Sequence, residues 1–134
     1  MEPASSEPQS RPGMVRGTIL AESLKPGTVL DGAGMQVICL SRYQVSGGAA
    51  YQPPVWTAIE FEAPEEIAPA LADKLAAVLL EPGWYVNWNS EDVATVVFPN
   101  KIFRYRHGDL PAREAAKAYG RGCGVPEPQL DWTD

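Results

Sequence analysis

At 134 residues the chain has room for one domain with one core, and folding at this size buries roughly two-thirds of the unfolded surface, so no disulfide or metal staple is required. Seventeen acidic residues against eleven Lys plus Arg leave a net charge of -6, which repels nucleic acid and anionic lipid. No apolar run approaches the ~20 residues that span a bilayer, and the N-terminus carries no leader-like apolar stretch, so a cytoplasmic protein with neither membrane nor nucleic-acid partner is expected.

Residues 1–14 contain Pro, Ser, Glu and Gln and no large apolar side chain between Met1 and Met14, which reads as a tail that cannot repay the entropy of ordering. Met14 also reads as an alternative start, with one α+β domain over residues 15–134. GTILAESL has the length of a strand and ends at the turn residues Lys25, Pro26 and Gly27. The next run, MQVICLSRYQV, alternates imperfectly, with Val37, Cys39 and Tyr43 expected on one side and Gln36, Arg42 and Gln44 on the other. VWTAIEFE is the clearest strand: Thr57, Ile59 and Phe61 share a face opposite Trp56, Ala58, Glu60 and Glu62.

Ile67, Leu71, Leu75 and Val78 then fall at spacings of four, four and three, the apolar stripe of a helix that starts near Pro69 and stops before Pro82 and Gly83. WYVNWN, VATVVF and KIFRYR follow as three strands joined by the short turns SED and PN, which favour antiparallel pairing. Asp109 caps a last helix with Ala112, Ala116, Tyr119 and Cys123 on one side and Gly124 at its end, and Val125, Leu130 and Trp132 fold back on the body. Strand-strand-strand-helix thus occurs twice, and the fold expected is one antiparallel sheet of about six strands with both helices on one face, leaving the other face free for recognition.

The blocks GTILAESLKPGTVL, WTAIEFE, Trp84-Tyr85, VVFPNKIFRYRHGD and YGRGCGVPEPQLDW together resemble a group of small, uncharacterised bacterial proteins of similar length, over nearly everything after Met14. The resemblance implies one intact domain. That group has no assigned activity, so no catalytic residue is carried across.

Few residues offer chemistry. Cys39, Cys123 and His107 are too few for a structural zinc without carboxylates, and buried reduced thiols are the simpler reading. His107 has no GxSxG elbow to serve; a loop histidine ahead of the Asp109 cap is the simpler reading, and acid-base work or pH sensing are the roles its chemistry would suit. Glu60 and Glu62 leave one strand face about 7 Å apart, a spacing reminiscent of glycosidase carboxylates but equally that of a solvated face. Arg104 and Arg106 repeat the pattern and suit either a cross-strand ladder with those acids or the clamping of a carboxylate or phosphate. If Trp84 and Trp88 face the helices, Tyr85, Asn87 and Asn89 face outward with Thr95 opposite.

No catalytic, metal or cofactor residue is assigned. The ligand-binding set expected is Arg42, Trp56, Glu60, Tyr85, Asn87, Arg104, Arg106 and His107, on a non-enzymatic binding or protein-interaction domain of accessory or regulatory kind. The partner is a small molecule or a protein, with a homodimer as one form. Two alternatives stand beside it. One is an enzyme in which Arg104 holds an anion while Glu60, Tyr85 or His107 moves a proton; the other is an acidic, immunity-type protein that neutralises a basic partner.

Overall fold

The computed structural model describes residues 12–31, 34–46 and 49–132. The tail expected at the N-terminus lies, through residue 11, outside the described residues. Six strands form one antiparallel sheet: β1 (Met14–Leu20), β2 (Gln36–Gln44), β3 (Val55–Pro64), β4 (Val86–Asn89), β5 (Val93–Phe98) and β6 (Lys101–Arg106). Two helices follow the third and sixth strands, α1 (Ala68–Val78) and α2 (Leu110–Gly122). The α+β class, the six-stranded sheet and the doubled strand-strand-strand-helix order are therefore those the sequence leads one to expect. No helix among the described residues is long and apolar enough to cross a membrane.

The sheet runs β2-β3-β1-β4-β5-β6. Its second half is a simple meander, whereas in the first half β3 inserts between β2 and β1, so the two halves share element order without sharing strand order. At the β5–β6 hairpin the two-residue turn Pro99-Asn100 needs a left-handed residue, and Asn100 takes φ 61°; its N–H donates to the Ala76 carbonyl and ties the end of α1 to the turn.

The helices do not share a face. On β5, Val97 belongs to the core that contains Leu71, Ala72, Leu75 and Ala76 of α1, together with Val15, Ile19, Phe61, Val86 and Trp88. Its neighbours Ala94, Val96 and Phe98 belong to a second core with Ala116 of α2, Tyr105, Val125, Leu130 and Trp132. Successive side chains on a strand point to opposite faces, so α1 covers one side of the sheet and α2 with the C-terminal segment covers the other. The reason is visible in VATVVF itself: the run from Ala94 to Phe98 is apolar or buried at every position, and a strand with one solvated face would alternate.

Each helix meets its side for a local reason. Pro69 occupies the first turn of α1, where its missing N–H costs nothing, and Leu71 and Leu75 are fully buried. In α2 the Asp109 carboxylate accepts the Ala112 N–H at 3.1 Å, satisfying one orphan donor of the helix start. At its other end Gly120 lets Phe98 and Leu130 approach; a Cβ there would sit 3.0 Å from both side chains. The segment after α2 is then held by a hydrogen bond from Trp132 Nε1 to Tyr105 Oη at 2.9 Å and by a tilted ring contact between Trp132 and Tyr85.

Candidate functional site

The register sorts the candidate residues by face. Glu60 stands opposite Thr18, Glu62 opposite Arg16, and Arg16 opposite Asn89 on the far side of β1. Asn87 lies on the same, α2-side surface, paired with Val96. Arg104 pairs with Thr95, and Arg106 with Val93, on the α1 side. Between β3 and β6 run β1, β4 and β5, so Glu60 and Arg104 are about 19 Å apart in the plane of the sheet as well as on opposite sides of it. No ladder between these acids and arginines forms, and an anion held by Arg104 is out of reach of Glu60, Tyr85 or Asn87.

The other members of the expected set have structural employment. Trp56 is buried, packed between Tyr43 and Trp84 with ring centroids 6.3 and 5.3 Å away, and its Nε1 donates to the Pro53 carbonyl. Tyr85 lies under the C-terminal segment, its hydroxyl donating to the Gln129 carbonyl; burial, reinforced by the Asp131 carboxylate, pushes the phenol above its ordinary range and keeps it neutral. Thr95 stands beside Trp88 on the α1 side, and so is not opposite Tyr85 and Asn87 as the sequence reading had it. His107 Nε2 lies 2.9 Å from the Ser90 carbonyl, so the proton sits on that nitrogen, and Nδ1 is enclosed without a partner. With its own N–H donated to the Asp92 carbonyl, His107 braces two adjacent turns. Arg42 donates to Thr57 Oγ1 at 2.6 Å, and Thr57 gives both its N–H and its hydroxyl to the Glu22 carboxylate, a chain that closes the upper end of β3.

What remains is the β2 side of the sheet. On the α2-side surface, beyond the second core, Arg16, Thr18, Glu60, Asn87 and Asn89 are partly exposed and Glu62 is buried beside them. Arg16 Nε is enclosed there without a hydrogen-bond partner. Two carboxylates flanking one guanidinium leave this patch without the surplus positive charge an anion site needs. Among the described residues no group of three or more His, Cys, Asp or Glu is placed to hold a metal.

β2 itself is the edge strand, and the sequence reading missed how it is built. Val37 pairs with Phe61 and Cys39 with Glu60, so Ile38 is an extra residue, a β-bulge. The bulge shifts the phase of the strand: Val37 and Leu40, three apart, both face the α1 side with Arg42, while Cys39, Ser41 and Tyr43 face the other. Val37, Ile38 and Leu40 are 53, 36 and 62% exposed, and Val29 in the preceding loop is 73% exposed. Cys39 is exposed, not buried as expected, and its thiol is pushed up because it hydrogen-bonds the Glu60 carboxylate, which holds the sulfur protonated. The unbroken apolar stretch Val37-Ile38-Cys39-Leu40 carried the signal. Four such residues in a row do not fit an edge strand with one wet face unless the alternation breaks.

Comparison with protein-family models, with curated proteins and with solved structures gives no match.

Proposed function

We propose that this chain is a protein-binding domain of accessory or regulatory kind that engages its partner along the β2 edge and the adjoining surface of the sheet. The observation that carries the reading is the exposure of Val37, Ile38 and Leu40 on a nine-residue edge strand. An edge of this kind offers both backbone donors and acceptors on its outer side and apolar side chains that gain from leaving water. Of the groups named in the enzyme alternative, Glu60 and Tyr85 lie on the face opposite Arg104 and His107 is engaged by the Ser90 carbonyl, which favours recognition over chemistry.

The test is affinity capture from source-cell extract with the tagged full chain and with a Val37→Lys/Leu40→Lys variant, read by mass spectrometry with the chain itself counted among possible prey. Both side chains are more than half exposed, so the variant is expected to fold. A protein retained by the native chain and lost from the variant supports the reading. Identical retention by both, or a small molecule as the sole retained species, overturns it.

A further inference from the structure

We propose that the partner on β2 is a second copy of this chain, joined edge to edge in antiparallel fashion about a twofold axis that crosses the strand near Ile38 and Cys39. The inference rests on the reading of β2 as the binding edge and names its occupant.

Three features select a copy of the same chain. First, the apolar residues are disposed symmetrically about the proposed axis, with Val37 on one side of the Ile38-Cys39 pair and Leu40 on the other. The bulge has turned Val37 and Leu40 to the same face. An antiparallel neighbour of identical sequence therefore sets Val37 of each copy near Leu40 of the other, next to the half-buried Ile59 that pairs with Leu40. A regular strand, with residues three apart on opposite faces, does not offer this.

Second, β2 carries one charge in nine residues, Arg42, and no acid. A single charge gives it little with which to select an oppositely charged partner strand. In the self-paired arrangement the two Arg42 side chains lie at opposite ends of the seam, more than about 20 Å apart, so like charges do not meet.

Third, the other edge of the sheet is guarded. Lys101, Arg104 and Arg106 are exposed on β6, and an edge lined with like charge resists pairing with its own copy. Growth of the sheet is thus confined to β2, and a twofold contact closes after two chains. The result is a continuous twelve-stranded sheet, twice the six strands of one chain.

The test uses the full chain. Light scattering across a concentration series reads the mass of the native protein, the Leu40→Lys variant and the Val37→Lys variant, with circular dichroism confirming that each is folded. A Cys123→Ser chain, in which Cys39 is the one remaining thiol, is treated with a short bis-maleimide. A mass that doubles with concentration in the native chain, monomers for both lysine variants, and a covalent Cys39-to-Cys39 dimer are the results expected. A native chain monomeric into the millimolar range, a dimer that survives Leu40→Lys and Val37→Lys, or a dimer that Cys39 does not cross-link overturns the inference. Should the chain be monomeric while the lysine variants lose a foreign protein in the capture experiment, the inference fails and the binding reading stands; should the variants lose nothing in either experiment, both fail.

Discussion

Gly17 illustrates how a single residue sets the α1-side core. It stands opposite Phe61 on β3 and Trp88 on β4, whose rings meet edge to face at 5.9 Å across the space its missing side chain leaves. A Cβ there would lie 2.8 Å from the Asn87 carbonyl oxygen and 3.2 Å from the Phe61 ring. Because the nearer obstacle is backbone, relief requires β4 to shift. Gly17→Ala is expected to destabilise by roughly 1–3 kcal/mol, measured as a lower midpoint in urea at unchanged slope. This constraint was invisible in the string GTILAESL, where Gly17 reads only as the start of a strand. The residues around it were legible, because Phe61 and Trp88 are large, apolar and in phase with their strands. The candidate site fared worse at this scale: Arg104, Arg106 and Glu60 each follow a clear alternation, but alternation within a strand does not say which face of the assembled sheet is which.

At the scale of elements, strand and helix spans followed from local chemistry. VATVVF and KIFRYR are β5 and β6, Asp109 caps α2, and Pro69 sits in the first turn of α1. What the pattern did not disclose was the bulge in β2, since an inserted residue leaves composition untouched and alters only the phase. Nor did it disclose the anchoring of the segment after α2, where Arg121 Nε lies 2.5 Å from Glu127 Oε1 and a second guanidinium nitrogen 3.2 Å from Oε2. That fork, with its hydrogen bond foremost, holds the Glu127 carboxyl below its usual range. A carboxylate whose folded value is depressed contributes stability that is complete above the unfolded value and fades as pH falls through the folded one. Arg121→Ala is therefore expected to cost little at neutral pH, since the pair is solvent-exposed, and the difference between native and variant proteins is expected to vanish under acid conditions below the ordinary carboxylate range. Chemical denaturation at neutral pH and at acid pH checks both arms.

For the whole molecule the main departure from the sequence reading is that two cores, not one, flank the sheet. Length and composition indicated enough apolar residues for one domain, and that much holds, but they do not count layers. The α2-side core depends on the C-terminal segment as much as on α2: Val125, Leu130 and Trp132 are all buried, and Trp132 joins Tyr85 and Tyr105. Trp132→Ala is expected to cost about 3–5 kcal/mol, a large part of the stability of an ordinary domain, visible as a lower melting temperature and as proteolytic nicking after α2. β5 is the wall common to both cores, its odd and even positions packing against different helices. In hydrogen-deuterium exchange the two sides should therefore open separately, each releasing its own helix while the amides of β5 stay closed, and those amides should be the last in the protein to take up deuterium.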